Sequence, residues 1–282
     1  MFYNDLYIIL SCFQSNILNL IRSLIFQIHQ MKIIISPAKS LDFESKVPTS
    51  LHTESRFLAL SEKLNKKLKT LSKKNLSELM KISDDLSALN YERNQNWKTP
   101  FTPQNAKQAI YAFTGAVFKG IDVNSLAEEK IPLLQDNLRI LSGLYGILKP
   151  LDLIQPYRLE MGTKLPIGKT ENLYKFWDDT VANALNEELE NGELLVNLAS
   201  AEYFKVIPKK VLKVPMITPI FKDFKNGEYK IVMTFAKKAR GLMVRYLIDN
   251  NIKTIEGLKG FNKDRYRFSE EMSLGNELVF TR

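Results

Sequence analysis

Apolar and polar positions recur along this chain with a period that changes from segment to segment, and each change predicts an element. The run 32–36 (KIIIS) is β-branched and stops at Ser36-Pro37, which predicts a buried strand feeding a loop. Segments 54–71 and 76–96 carry apolar residues at helical spacing. The first runs into Lys63, Lys66, Lys67, Lys69, Lys73 and Lys74, a charge run that reads as a solvated helix face. Two prolines make 97–103 a connector. Small and aromatic residues alternate over 108–121 around Gly115 and Gly120, predicting strands or a strand pair, and 132–141 predicts a helix.

Residues 171–190 place Leu173, Phe176, Trp177, Val181, Ala184, Leu185 and Leu189 on one helix face, with Trp177 in the core. A buried strand is expected at 193–198. Segments 214–224 and 229–235 flank Asn226-Gly227, the strongest short hairpin signal. Residues 236–250 predict a helix with separable faces. Lys237, Lys238, Gly241 and Arg245 share an arc of about 100°, with Arg240 beside it, while Ala239, Leu242, Met243 and Tyr246 lie opposite. No linker, repeat or low-complexity tract divides the chain. The expected fold is one compact α/β (mixed α+β) domain with a mixed sheet.

The stretch 138–162 (LRILSGLYGILKPLDLIQPYRLEMG) sets Gly143, Gly146, Pro150, Pro156 and Gly162 between apolar runs. A helix interior does not tolerate this, since Gly costs about 1 kcal/mol and Pro about 3 kcal/mol there. The chain therefore turns sharply, beside Arg139, Lys149 and Arg158. One reading is a helix entering a Gly-containing hairpin, as in helix-hairpin-helix elements, whose glycines let backbone N–H groups approach a phosphate. The other is a tight helix-to-loop junction with glycine at the cap. Gly241, inside a cationic helix face, carries the same expectation of close phosphate approach. Segment 252–261 (IKTIEGLKGF) offers a second hairpin-like turn.

Charge sharpens this picture. Lys+Arg number 40 against 31 Asp+Glu, a net +9 with a pI near 9.3. Residues 205–267 alone hold 16 bases and 5 acids, a local +11 that points to a groove for a polyanion. A single cysteine, Cys12, and two histidines, His29 and His52, exclude an intrachain disulfide and the usual Cys/His zinc sites. A metal would need carboxylates, and Asp42, Asp152, Glu160 and Glu202 show no ligand spacing, so no metal and no cofactor is expected. Scarce cysteine fits a reducing cytoplasm.

Residues 1–30 differ from the rest: one acid (Asp5), one base (Arg22), no glycine or proline. Ile17, Ile21, Leu24 and Ile28 form a helical seam, too interrupted by polar residues for the roughly 18 apolar residues of a membrane span. This segment is expected to be an added amphipathic helix, or the product of an upstream start codon the cell does not use. Either way it stands outside a domain of residues 31–282.

Six motifs occur in order: ISPAKSLDF at 35–43, AFTGAVFKG at 112–120, the stretch 138–162, LYKFWDD at 173–179, NLASAEYFK at 197–205 and AKKARGLMVRY at 236–246. Together they resemble the YaaA family, the peroxide stress resistance proteins of bacteria, from Met31 to the C-terminus. The resemblance implies a cytoplasmic bacterial protein that limits oxidative damage by lowering free iron. It further implies a basic cleft and a helix-hairpin-helix element that binds DNA, and the local +11 points to binding through phosphates without sequence preference. Carried over by position, the cleft cations are Lys39, Arg139, Lys149, Arg158, Lys237, Lys238, Arg240 and Arg245; the residues themselves add Gly143, Gly146 and Gly241 as backbone approaches. A monomer is expected, and no nucleophile carries over.

A second reading, from the residues themselves, is an enzyme holding a small nucleotide-like anion. Its groups are Ser36 and Lys39, Tyr157, Arg158 and Glu160, and Asn197, Ser200 and Glu202, with Glu160 or Glu202 as general acid or base. Convergence of these groups in one pocket favours it; spread along an open groove favours DNA.

Overall fold

Strand β1 (Met31–Ile35) is buried at every residue, as its β-branched run requires of a strand covered on both faces. The computed structural model that contains it describes residues 31–189 and 193–282, so the seam expected within 1–30 lies outside the described residues. Seven further strands complete the main sheet. They are β2 (Leu138–Ser142), β3 (Gly146–Leu148), β4 (Leu194–Leu198), β5 (Met216–Lys225), β6 (Glu228–Lys230), β7 (Arg267–Leu274) and β8 (Glu277–Thr281).

The order is β7-β8-β5-β4-β1-β2-β3, with β6 also paired to β5. Strand β1 runs parallel to β2 and β4, β4 parallel to β5, and β5 parallel to β8. Antiparallel pairs β2–β3, β5–β6 and β7–β8 make the sheet mixed. The fold is therefore the mixed α/β arrangement the pattern predicts.

Six helices matter below: α1 (Leu58–Lys69), α2 (Lys73–Met80), α3 (Asp84–Asn96), α4 (Ala116–Ile121), α5 (Thr180–Glu188) and α6 (Met233–Asp249). The helix expected at 76–96 is two helices. Lys81 takes a left-handed φ of 52°, and Ser83 accepts from the Leu86 N–H to cap a new start. The helix expected over 171–190 also breaks, into Leu173–Trp177 and α5, at Asp178 with φ 40°. Its apolar face is core all the same, and Trp177 donates from Nε1 to the Gly143 carbonyl at 3.0 Å.

Two predictions are overturned in the middle of the chain. Segment 108–121 is mostly helical: Ala109–Ala112 and α4 flank a two-residue strand, and Gly115 (φ 126°) makes the turn between them. Segment 132–141 is not one helix. Helix Ile131–Asn137 ends where β2 begins, and Ser142 pairs with Gly146 across a three-residue turn. The glycines at 143 and 146 thus belong to a β-hairpin, not to a helix-hairpin-helix.

Neither glycine is open to a ligand. A Cβ on Gly143 would overlap the Leu159 carbonyl, and one on Gly146 (φ 71°) would press into the Trp177 ring. At 226–227 the expected turn forms, with Asn226 and Gly227 both at positive φ. The second arm stops at Lys230, however, because α6 begins at Met233. A short helix, Ile255–Lys259, follows α6 after a turn. No helix among the described residues is long and apolar enough to cross a membrane.

Candidate anion-binding site

Two buried parallel strands deliver two hydroxyls to one place. Ile35 of β1 pairs with Leu198 of β4, so Ser36 and Ser200 leave the same, C-terminal edge of the sheet. Ligands of parallel α/β sheets sit at this edge. The Ser36 Oγ accepts from the Ser200 N–H at 2.9 Å and lies 3.2 Å from the Ser200 Oγ. The loop after β1 is held down by Ser40, whose Oγ donates to the Thr114 carbonyl at 3.0 Å, and by Asp42, whose N–H donates to the Ala112 carbonyl at 2.8 Å.

This edge floors a cavity of about 600 Å³. Ser36–Ser40, Thr114–Phe118 and Ser200–Tyr203 wall it, and Lys237 and Arg240 of α6 enter from the remaining side. Glu160 and Glu202 separate it from a neighbouring hollow of about 580 Å³, lined also by Lys81, Arg158 and Lys164. The two adjoin at these carboxylates and together are called the groove.

Charges within it are unevenly matched. Glu160 receives Lys39 at 2.7 Å and Arg158 at 3.3 Å. Glu202 accepts the Gly162 N–H at 2.9 Å. Among the described residues Arg240 has no carboxylate partner and its buried Nε no hydrogen-bond partner, and burial pulls its pKa below the ordinary arginine value. Lys237, exposed one turn earlier, has no carboxylate partner either among the described residues. The Arg158 Nε is likewise buried and unmatched. An arginine stays charged in this setting, so the groove presents cations that lack an anion.

The other cations named from the sequence stand elsewhere. Arg139 is 3% exposed, and its Nε pairs with Glu188 of α5 at 2.5 Å while Nη1 donates to the Gln135 and Leu138 carbonyls. It shares a separate cavity of about 350 Å³ with Lys149, Asp152 and Thr53. Arg245 pairs with Asp249 at 2.8 Å and donates to the Ile121 and Asp122 carbonyls and to Ser125, closing the end of α4. Lys238 pairs with Asp264 at 3.5 Å. Gly241 is buried, and a Cβ there would overlap the Val117 carbonyl, so its surface faces α4 and not a phosphate.

Of the second reading's groups, Ser36, Lys39, Arg158, Glu160, Ser200 and Glu202 meet along this groove. Tyr157 and Asn197 do not, being buried on Ser142 and on the Ala199 N–H. Sequence reasoning missed Thr114, Tyr203, Lys81 and Lys164 as lining residues. Only Tyr203 had a usable signal, since it closes the same strand-then-hydroxyl pattern (VNLAS, then AEY) that begins at Ser36. Among the described residues no group of three or more His, Cys, Asp or Glu is placed to hold a metal ion.

The separate cavity carries its own prediction. Burial pushes the Asp152 carboxyl up to about 6, opposed by the Thr53 hydroxyl at 2.6 Å and the Lys149 N–H at 2.8 Å. Its folded pKa lies above the unfolded value of about 3.9, so the folded chain holds the extra proton. Asp152 therefore adds stability as pH falls from about 7 to about 5, by roughly 1 kcal/mol, and the full gain of roughly 3 kcal/mol is reached only below the unfolded value. Urea midpoints across this window should show that slope in wild type and lose it in Asp152→Asn. Equal slopes in both proteins would contradict the assignment.

Comparison with known proteins agrees with the six motifs. A family model described as "Peroxide stress protein YaaA" matches residues 31–272. A UPF0246 protein of Flavobacterium johnsoniae is 60% identical over 252 residues, covering 89% of this chain and 100% of its own length. A second, from Flavobacterium psychrophilum, is 61% identical with the same coverage. One from Aliivibrio fischeri is 53% identical over 254 residues, covering 89% of this chain and 98% of its own. With the match running through every wall of the groove, the chain belongs to the peroxide stress protein YaaA family.

Proposed function

We propose that the chain serves the peroxide stress response as a cytoplasmic, monomeric DNA-binding protein whose groove grips phosphates without sequence preference. The observation that carries this is the convergence of Lys39, Arg158, Lys237 and Arg240 on one groove, with Lys237 and Arg240 lacking acid partners. Phosphate contacts supply affinity without reading sequence, because they touch no base edge. Four such contacts give a slope of about −3.6 in log K against log[salt] for duplex DNA. A salt titration with labelled duplexes of two unrelated sequences tests this, and both should give the same slope. A slope near zero would overturn it. Limitation of damage by lowering free intracellular iron belongs to the same proposal, as an indirect consequence of the bound state.

A second reading has its own observation. Ser36, Lys39, Glu160, Ser200 and Glu202 meet at one cavity and do not spread along an open surface. A cavity of this size suits a small anionic, nucleotide-like substrate, with Glu160 or Glu202 as acid or base. Turnover of such a substrate, lost in Glu202→Gln, would favour the enzyme.

A further inference from the structure

The cationic end of the cavity is the least satisfied part of the groove. The other cations around it have carboxylates: Lys39 and Arg158 share Glu160, Lys238 pairs with Asp264 and Arg245 with Asp249, while Glu202 on the same wall meets the Gly162 N–H. Among the described residues Arg240 and Lys237 have no carboxylate, and the buried Arg240 Nε has no acceptor. Facing the same space are the Ser36 and Ser200 hydroxyls, 3.2 Å apart. Two unmatched cations and a pair of hydroxyls call for an anion with two charges and several acceptor oxygens.

We propose that this cavity binds a phosphomonoester of nucleotide size, its dianion held by Arg240 and Lys237 and its oxygens within reach of the Ser36 and Ser200 hydroxyls. The inference rests on the reading of the groove as a phosphate site and narrows it. A phosphomonoester carries about −1.5 to −2 charges and three terminal oxygens, whereas a phosphodiester within a strand carries one charge and two free oxygens. Lys39, Arg158, Lys237 and Arg240 against Glu160 and Glu202 leave two positive charges in excess, which a monoester dianion balances and a diester does not. A cavity of about 600 Å³ is within the range that holds a small ligand. This chemistry has two sources, a free nucleoside monophosphate and the phosphorylated end of a DNA strand.

The test uses the full chain. Melting temperature is followed with adenosine 5′-monophosphate and with adenosine. Binding is measured to a duplex with 5′-phosphate ends, to the same duplex with hydroxyl ends, and to the same duplex closed at both ends by loops. Stabilisation by the monophosphate and not by adenosine supports a free-nucleotide ligand. Preference of about tenfold for phosphate over hydroxyl ends supports a strand terminus. Either effect should disappear in Arg240→Met and in Lys237→Gln.

Arg240→Met removes a half-buried cation whose Nε lacks an acceptor, so without ligand it should melt at or above the wild-type temperature. Lys237→Gln alters an exposed side chain and keeps the test decisive if Arg240→Met fails to fold. Equal stabilisation by adenosine, or unchanged effects in both variants, overturns the proposal. Salt-dependent binding to the closed duplex, with no response to monophosphate or to phosphorylated ends, overturns the phosphomonoester site and leaves the groove standing. Loss of binding to the closed duplex as well overturns both.

Discussion

Gly241→Ala is expected to cost about 3 kcal/mol or more of folding stability, the upper range for overpacking a tight contact. The reason is a backbone-to-backbone crossing. Helix α6 meets α4 at Gly241 and Gly120, and an added Cβ on Gly241 would overlap the Val117 carbonyl, which belongs to α4's own backbone. A Cβ on Gly120 would stand 2.5 Å from the Lys238 carbonyl and 2.9 Å from the Leu242 nitrogen. No side chain can swing away to make room, so one helix must shift. Because α6 carries Lys237 and Arg240 and α4 borders the cavity, the shift also widens the groove. Urea unfolding of wild type and Gly241→Ala measures the cost. Gly227→Ala is the comparison, with positive φ but no atom within 4 Å, and should lose only about 1 kcal/mol. A stable Gly241→Ala that simply bound DNA less tightly would restore the phosphate-approach role that the crossing denies it.

Arg139→Met should be of similar size, a loss of about 3–5 kcal/mol, with no change in the salt dependence of DNA binding. Arg139 sits on strand β2, one in from the edge of the sheet, with its guanidinium matched to Glu188 and to two carbonyls. Removing it leaves the Glu188 carboxylate beside a buried site without its partner, the situation in which broken buried pairs are costly. Removing both partners, as Arg139→Met with Glu188→Gln, should recover part of the loss, since no uncompensated charge then remains. Chemical denaturation of the two variants reads this directly. Full stability of Arg139→Met with weakened DNA binding would place Arg139 in the groove after all.

What the sequence made legible follows from local signals. Strands β1 and β4 are β-branched or aliphatic runs with clear stops, Asn226-Gly227 can make little but a tight turn, and the core face of 173–189 survives a break at Asp178. What escaped depended on distant partners. LRILS reads equally well as the end of a helix or as a buried strand, and its pairing with β1, a hundred residues away in sequence, decides for the strand. Gly241 does fall within a cationic arc by helical geometry, yet Gly120 covers it from another part of the chain. Arg139 and Arg245 are as basic as Lys237, but their nearest carboxylates and carbonyls absorb their charge. The meeting of Ser36 and Ser200, separated by 164 positions, follows only from parallel pairing of β1 with β4.

The most direct test of the central claim compares two sets of charge-removing substitutions in one salt titration with duplex DNA. Lys237→Gln with Arg240→Gln removes the unmatched groove cations, and Lys149→Gln removes a cation of the separate cavity. The expected result is a slope about 1.8 less steep for the double variant, two phosphate contacts' worth, and an unchanged slope for Lys149→Gln. A double variant that keeps the wild-type slope, or a Lys149 variant that loses as much, would contradict the claim that this groove is where the chain meets phosphate.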